Sequence, residues 1–125
     1  MIETRFQGAG WAYGNDLHCG ERLPTTNVVS GNICRLLGWV QLPWLNRTFA
    51  DNAVLALGRS LNRIAYVPEV VIEHRHPSLG KSGPDDIYRQ GKSTVRYYRD
   101  RFVFNYWRLV LLHRDQRLIQ RSLLQ

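Results

Sequence analysis

The sequence predicts an α/β fold in which short strands surround one apolar helix and a long basic helical region follows. Residues 25–29 and 64–72 are rich in β-branched side chains, whereas the stretch after Asp51 has apolar residues at helical spacing. At 125 residues, with 44% hydrophobic and 22% charged residues, the chain has the composition of an ordinary globular domain with a modest core. We therefore expect one folded unit at residues 1–91 and a helical tail at residues 92–125.

The first predicted strand is short and ends beside an acidic side chain. Gly10 to Tyr13 has strand character, and Asn15 and Asp16 follow it closely. Ligand-binding groups in open α/β sheets lie at the carboxyl ends of strands, which makes Asp16 a candidate ligand-binding residue. The same dipeptide is equally typical of a plain turn, so both interpretations stay open.

A short helix is predicted after the second strand. A loop at residues 20–24 leads into the strand Thr25 to Val29. Ser30 has the side chain of a helix N-cap, and Gly38 suits the left-handed residue that ends a helix. Together they predict a helix from Asn32 to Leu37.

An apolar cluster broken by Pro43 comes next, and Trp39 and Trp44 are its largest members. Aromatic side chains so close to aliphatic ones usually belong to a hydrophobic core. The residues alone therefore favour a core position for both tryptophans.

The stretch from Phe49 to Lys81 carries the sharpest chemical signals. Asp51 stands directly before the apolar helix. Its carboxylate is expected at the helix N-terminus, where exposed N–H groups stabilise negative charge. The helix is expected to end near Asn62 or Arg63. The residues alone are consistent with Asp51 as a helix cap, and also with a functional carboxylate.

Two β-branched segments, Ile64 to Val67 and Val70 to Ile72, follow this helix and are separated by Pro68, which cannot donate to a strand ladder. The second segment leads to His74 and His76. Residues two apart in extended backbone project to the same side, so the two imidazoles are expected together. Neutral imidazole binds transition metals and protonated imidazole binds phosphate. The alternative is that both histidines are structural.

The positive charge of the chain is concentrated in its tail. Of the net charge of +7, residues 92–125 contribute most, with eight Lys or Arg against two Asp. Residues 82–86 have the features of a helix start, and an apolar stripe that includes Phe104, Trp107 and Leu118 then recurs at helical spacing. Such a helix packs on its own domain, binds a partner or lies on an anionic membrane surface. We favour packing or a partner.

Several short motifs follow one another in a set order between Tyr13 and Tyr88. They are YGNDL, GERLPT, LGW, ADN before the apolar helix, YVPEVVIEHRHP and GK. Their order and spacing resemble the C-terminal half of small family-2-like glycosyltransferases of phage and bacterial genomes. The resemblance implies that residues 1–91 form a partial, nucleotide-sugar-binding GT-A-like fold. It also implies transfer of a sugar from a nucleotide-sugar donor to an acceptor hydroxyl.

The resemblance also implies roles for individual residues on the donor side. Asp51 stands in the place of the catalytic base. His74 and His76 are implied to bind the diphosphate and a divalent metal, Mn²⁺ or Mg²⁺. Asp16 is implied to contact the nucleotide sugar.

On the acceptor side, the resemblance implies that Trp39 and Trp44 line the cleft, where an indole stacks on a sugar face. Two positions depart from the family pattern. Asn15 and Asn52 stand where related sequences often have a second acidic residue. The implied catalytic carboxylate is thus present without its neighbour.

The donor-binding half of the family has no counterpart in this sequence. The chain contains no Asp-x-Asp motif and no glycine-rich phosphate loop. We therefore expect the chain to be inactive alone and to be completed by an N-terminal domain, by another chain or by a second copy.

A second class of function is a non-enzymatic binding module. Arginines and aromatic residues interleave in the tail, a pattern that contacts phosphates and stacks on bases, so its partner would be nucleic acid or another protein.

Cys19 and Cys34 are too few and too far apart for a disulfide scaffold, and no signal peptide or membrane-length apolar run is evident. These features predict a cytoplasmic protein.

Overall fold

The structure is a computed structural model that describes residues 1–75 and 94–124. Within these residues a small three-stranded mixed sheet packs with helices, which confirms the predicted α/β class. The strands are β1 (Trp11–Asn15), β2 (Asn27–Val29) and β3 (Ile64–Val71). The α-helices are α1 (Ile2–Arg5), α2 (Gly31–Leu37), α3 (Ala50–Ser60), α4 (Thr94–Tyr106) and α5 (Leu112–Leu123). A short 3₁₀ helix, Gly20–Arg22, follows β1, and a π-helical segment, Trp107–Leu111, joins α4 to α5.

The central strand of the sheet is β1. It pairs antiparallel with β2, where Trp11 lies opposite Val29, and parallel with β3, where Trp11 lies opposite Ile64. Parallel neighbours need a long crossover, and the chain from β2 through α3 supplies it. The carboxyl ends of β1 and β3 consequently meet at one edge of the sheet.

The strand β3 continues through Pro68, so the prediction of two separate segments is wrong. Pro68 marks an irregularity instead, because Gly14 lies opposite Val67 while the next residue of β1 lies opposite Val71. The extra residues of β3 form a bulge that brings the carbonyl oxygen of Val70 against Gly14. A side chain at Gly14 would collide with that oxygen, which explains the glycine.

One hydrophobic core joins the sheet to the C-terminal helices. Trp11 of β1, Ile33 of α2 and Leu57 of α3 are buried in the same cluster as Trp107 and Ile119.

The predicted boundary between residues 91 and 92 lies outside the described residues, as do the predicted helix start at 82–86 and His76. No helix in the described part of the chain is long and apolar enough to cross a membrane.

Two buried aspartates fasten the C-terminal helices. The Asp100 carboxylate accepts hydrogen bonds from the backbone N–H groups of Asn46, Arg47 and Thr48 at 2.9 to 3.0 Å, and from the Thr48 hydroxyl. Burial alone would raise the pKa of Asp100, but these hydrogen bonds outweigh it and lower the pKa. Asp100 therefore holds α4 against the loop that precedes α3.

Asp115 plays the corresponding part in α5. Its carboxylate accepts a hydrogen bond of 2.8 Å from the indole N–H of Trp107, and both side chains are buried. The bond spans the π-helical segment, so it fixes the start of α5 relative to the end of α4.

Candidate functional site

The candidate site lies at the edge of the sheet where β1 and β3 end. Beyond β3 the chain stays alongside β1, because the N–H of Ile72 donates to the Asn15 carbonyl at 2.9 Å and the N–H of His74 donates to the Asp16 carbonyl at 3.0 Å. The first turn of α3 brings Asp51 to the same edge, where its carboxyl interacts electrostatically with His74 and Asp16. Three of the predicted site residues therefore lie together.

Asp51 occupies the position expected from the sequence. The helix α3 begins at Ala50, and Asp51 is the acidic residue of its first turn. The side chain is half-buried, and this burial raises the pKa of its carboxyl; His74 opposes the rise and Asp16 adds to it. A carboxylate with a raised pKa holds a proton more strongly, which suits a general base.

The start of α3 is fixed by aromatic contacts with α4. Phe49, the residue before α3, has a left-handed backbone conformation with φ of 69°. Its ring stacks on Phe104 at a centroid distance of 5.4 Å and also contacts Tyr97. Together with the bonds from Asp100 to the preceding loop, these contacts place Asp51 at the sheet edge.

Asp16 is a structural anchor at the site. One carboxylate oxygen accepts hydrogen bonds from the N–H groups of His18, Cys19 and Gly20 at 2.7 to 3.0 Å, and the other accepts one from the Thr25 hydroxyl at 2.6 Å. Burial alone would raise the pKa of Asp16, but the hydrogen bonds hold it well below the usual range. Both oxygens thus accept hydrogen bonds within the loop; contact with a nucleotide sugar stays a prediction.

His74 is half-buried beside Asp51. His76 lies outside the described residues, so the predicted pairing of the two imidazoles stays a prediction. In residues 1–75 and 94–124, no group of three or more His, Cys, Asp and Glu side chains is arranged to hold a metal ion. These described residues alone do not complete a ligand set for Mn²⁺ or Mg²⁺.

The two predicted acceptor residues have different surroundings. Trp39 is half-buried and packs against the hydrophobic core, in agreement with the core interpretation. Trp44 is 63% exposed, so a core position is wrong for this residue. Its indole lines an open apolar cleft of about 290 Å³ together with Phe102 and Tyr106 of α4.

Sequence reasoning missed two residues that shape the site. Cys19 lies near both carboxylates, and the pKa of its thiol is raised by burial and by the charges of Asp16 and Asp51. The only sequence feature that could have indicated Cys19 is its position in the loop after β1. Asp100 had a clearer signal: it lies three, four and seven residues before Val103, Phe104 and Trp107, on the apolar side of the helix, where a carboxylate must be buried and hydrogen-bonded.

No protein-family model matches the chain, and neither the curated proteins nor the solved structures include a significant match.

Proposed function

We propose that this chain is the part of a GT-A-like glycosyltransferase that carries the acceptor site and the catalytic base. The reaction is transfer of a sugar from a nucleotide-sugar donor to an acceptor hydroxyl. The observation that carries the proposal is Asp51, a half-buried carboxyl with a raised pKa, placed beside His74 where two parallel strands end. Ligand sites of open α/β sheets lie at this edge.

In the proposed reaction, Asp51 accepts the proton of the acceptor hydroxyl while the hydroxyl oxygen forms a bond to the anomeric carbon of the donor. The bond between that carbon and the diphosphate oxygen breaks, and its electron pair leaves with the nucleoside diphosphate. Configuration at the anomeric carbon is inverted. His74, when protonated, donates a hydrogen bond to the leaving diphosphate. Asp16 holds the loop beside the reacting groups and transfers no proton.

The proposal includes a divalent metal, Mn²⁺ or Mg²⁺, as a partner of the diphosphate, with His76 as a further ligand. It also includes a donor-binding part supplied by an N-terminal domain, another chain or a second copy. Trp44 is the proposed acceptor-side aromatic because its indole is exposed, whereas Trp39 packs on the core.

Calorimetric titration of the purified chain with UDP and UDP-glucose, with and without Mn²⁺, tests the donor side. Because another domain or chain is proposed to supply most of the donor site, we expect weak, metal-dependent binding through the diphosphate alone. His74→Ala should weaken it about tenfold or more, the usual effect of losing one hydrogen bond to a charged group. His113→Ala is the matched control, because His113 is exposed on α5. Equal binding by the wild-type and His74→Ala chains would remove His74 from the site.

A further inference from the structure

An apolar strip runs along the outer side of α4 and into the π-helical segment. Its members are strongly exposed: Val95 (78%), Tyr98 (60%), Phe102 (72%), Tyr106 (50%) and Leu109 (75%). They recur every three or four residues, which places them in one line along the helix. Five large apolar side chains in a continuous exposed line mark an interaction surface, and we call them the α4 strip.

The charge around the α4 strip has one sign. Arg101 and Arg108 are exposed and lie seven residues apart, in a line beside the strip. The acidic residues in the described part of the tail, residues 94–124, are Asp100 and Asp115, and both are buried. The solvent-exposed face of these helices is therefore basic and apolar.

Trp44 extends the α4 strip beyond the helix. Its backbone has a φ of 69°, and its exposed indole forms one wall of the cleft whose other wall includes Phe102 and Tyr106. Tryptophan and tyrosine side chains are typical of protein surfaces at a membrane interface, because each has an apolar ring system and one polar group that stays in contact with water.

The combination of aliphatic side chains and arginines decides between possible occupants. A second copy of the chain would bring arginines against arginines, which is unfavourable. Nucleic acid would pair with Arg101 and Arg108 and stack on Tyr98, but it offers nothing apolar to Val95 and Leu109. A lipid surface with anionic headgroups accepts both kinds of side chain.

We propose that the α4 strip, with Trp44, binds the surface of membranes that contain anionic lipids. The helix lies in the plane of the interface, with its apolar line among the headgroups and upper acyl chains. Arg101 and Arg108 contact the lipid phosphates. The α4 strip itself lies on the opposite side of α4 from Asp100 and Trp107. Trp44 is the one residue that this surface shares with the proposed acceptor side, so the substitutions that test membrane binding leave it unchanged.

Co-sedimentation of the full chain with vesicles tests the proposal. We expect binding to vesicles of phosphatidylcholine mixed with phosphatidylglycerol, and much weaker binding to pure phosphatidylcholine. Phe102→Ser combined with Leu109→Ser should reduce the partition coefficient about tenfold or more. The matched control is Val28→Ser combined with Val40→Ser, two aliphatic residues that are similarly exposed elsewhere. The control should bind as the wild type does.

The electrostatic part is tested with Arg101→Gln combined with Arg108→Gln, which should remove most of the preference for anionic vesicles. Arg5→Gln combined with Arg35→Gln gives the same net charge and should keep that preference. All these positions are exposed, and thermal unfolding followed by circular dichroism verifies that each variant folds.

Three outcomes would overturn the proposal. One is absence of binding to either kind of vesicle, and another is binding that Phe102→Ser with Leu109→Ser leaves unchanged. The third is a different occupant: oligonucleotide binding without vesicle binding, or a dimer in light scattering that these two substitutions dissociate.

Discussion

Asp16 and Asp51 lie at the same edge of the sheet, yet their surroundings shift the pKa values of their carboxyls in opposite directions. Asp16 is buried among four hydrogen-bond donors that stabilise its charge. Asp51 is half-buried, and desolvation disfavours its charge. The two surroundings thus suit the two carboxyls to different roles. Asp16 holds a loop, whereas Asp51 binds a proton more readily.

Asp51→Asn should stabilise the protein at neutral pH. Because the pKa of Asp51 is raised in the folded state, ionisation lowers the free energy of unfolding as pH rises through that pKa. The gain from Asn should be absent below about pH 4, where the carboxyl is protonated in both states, and should grow above it. Denaturant unfolding at a series of pH values measures this gain. Glu69→Gln, at an exposed position of β3, is the control; a gain that does not vary with pH would contradict the explanation.

The same substitution should remove sugar transfer. In a system that supplies the donor-binding part, Asp51→Asn is expected to lower kcat by about 10²- to 10⁴-fold, the usual contribution of a general base. A radiolabelled transfer assay measures this effect. Undiminished turnover would refute the role of Asp51 as base.

Asp16→Ala should destabilise the protein severely. It leaves three backbone N–H groups and the Thr25 hydroxyl without their acceptor, at a cost of about 3 kcal/mol or more. Because the folded pKa of Asp16 is lowered, the contribution of its charge is present above about pH 4 and is lost as pH falls toward the folded pKa. Urea unfolding at pH 7 and at low pH measures both effects.

The control for Asp16→Ala is Asn15→Ala, which removes one exposed hydrogen bond to the N–H of Leu17. It should cost less than about 1 kcal/mol. Similar losses for both variants would show that Asp16 does not anchor the loop.

At the scale of single elements, the sequence predicts where helices start and end, because residues at or next to the helix ends determine this. Ser30 precedes α2 and Gly38 ends it with a φ of 75°, as predicted, although the Ser30 hydroxyl accepts a hydrogen bond from the N–H of Gly10 instead of capping the helix. The helix α3 begins beside Asp51 as expected and ends at Ser60, two or three residues before the predicted end at Asn62 or Arg63. Pro68 was predicted to separate two strand segments, but β3 continues through it and forms a bulge. A bulge depends on the register of the neighbouring strand, which the local sequence does not show.

Gly58→Ala tests how closely α3 packs on β3. A methyl group at Gly58 would lie 2.7 Å from Cβ of Ile64, which sits on the backbone of β3 and cannot rotate away. Overpacking should outweigh the gain in helix propensity and destabilise the protein by about 1 to 2 kcal/mol. Gly31→Ala in α2 is the control, because its nearest neighbour is the flexible end of Arg35. Thermal unfolding compares the two; equal stability would show that α3 has room to shift.

At the scale of the whole molecule, the C-terminal helices are expected to be required for folding. Deleting residues 94–125 removes Trp107 and Ile119 from the core shared by Trp11, Ile33 and Leu57. We expect the shortened chain to lose cooperative thermal unfolding and dispersed amide resonances. Deleting only residues 124 and 125 is the control and should leave both unchanged. A cooperatively folding 1–93 fragment would show that the tail is a separate unit.

The candidate site was predictable where residues near in sequence supply the signal, and less so where distant segments meet. Asp51 and His74 were predicted as candidates from a helix start and a strand end, and the structure brings them to the same edge of the sheet. Both carboxylate oxygens of Asp16 accept hydrogen bonds because of the conformation of the following loop, and no simple sequence pattern predicts that conformation. Trp44 is exposed at an open cleft that it lines together with residues of α4, more than fifty residues away, and its apolar neighbours in sequence do not reveal this.

The π-helical segment restricts which insertions and deletions this chain can accept during evolution. Trp107 and Ile119 are twelve residues apart, and in an uninterrupted α-helix they would be about 120° out of line. The wider turn of the π-helical segment takes up this difference, so that both reach the core. Removing one residue there would rotate everything after it by about 100°. Homologous sequences should therefore tolerate varied side chains at its solvent-facing positions, but not single-residue insertions or deletions.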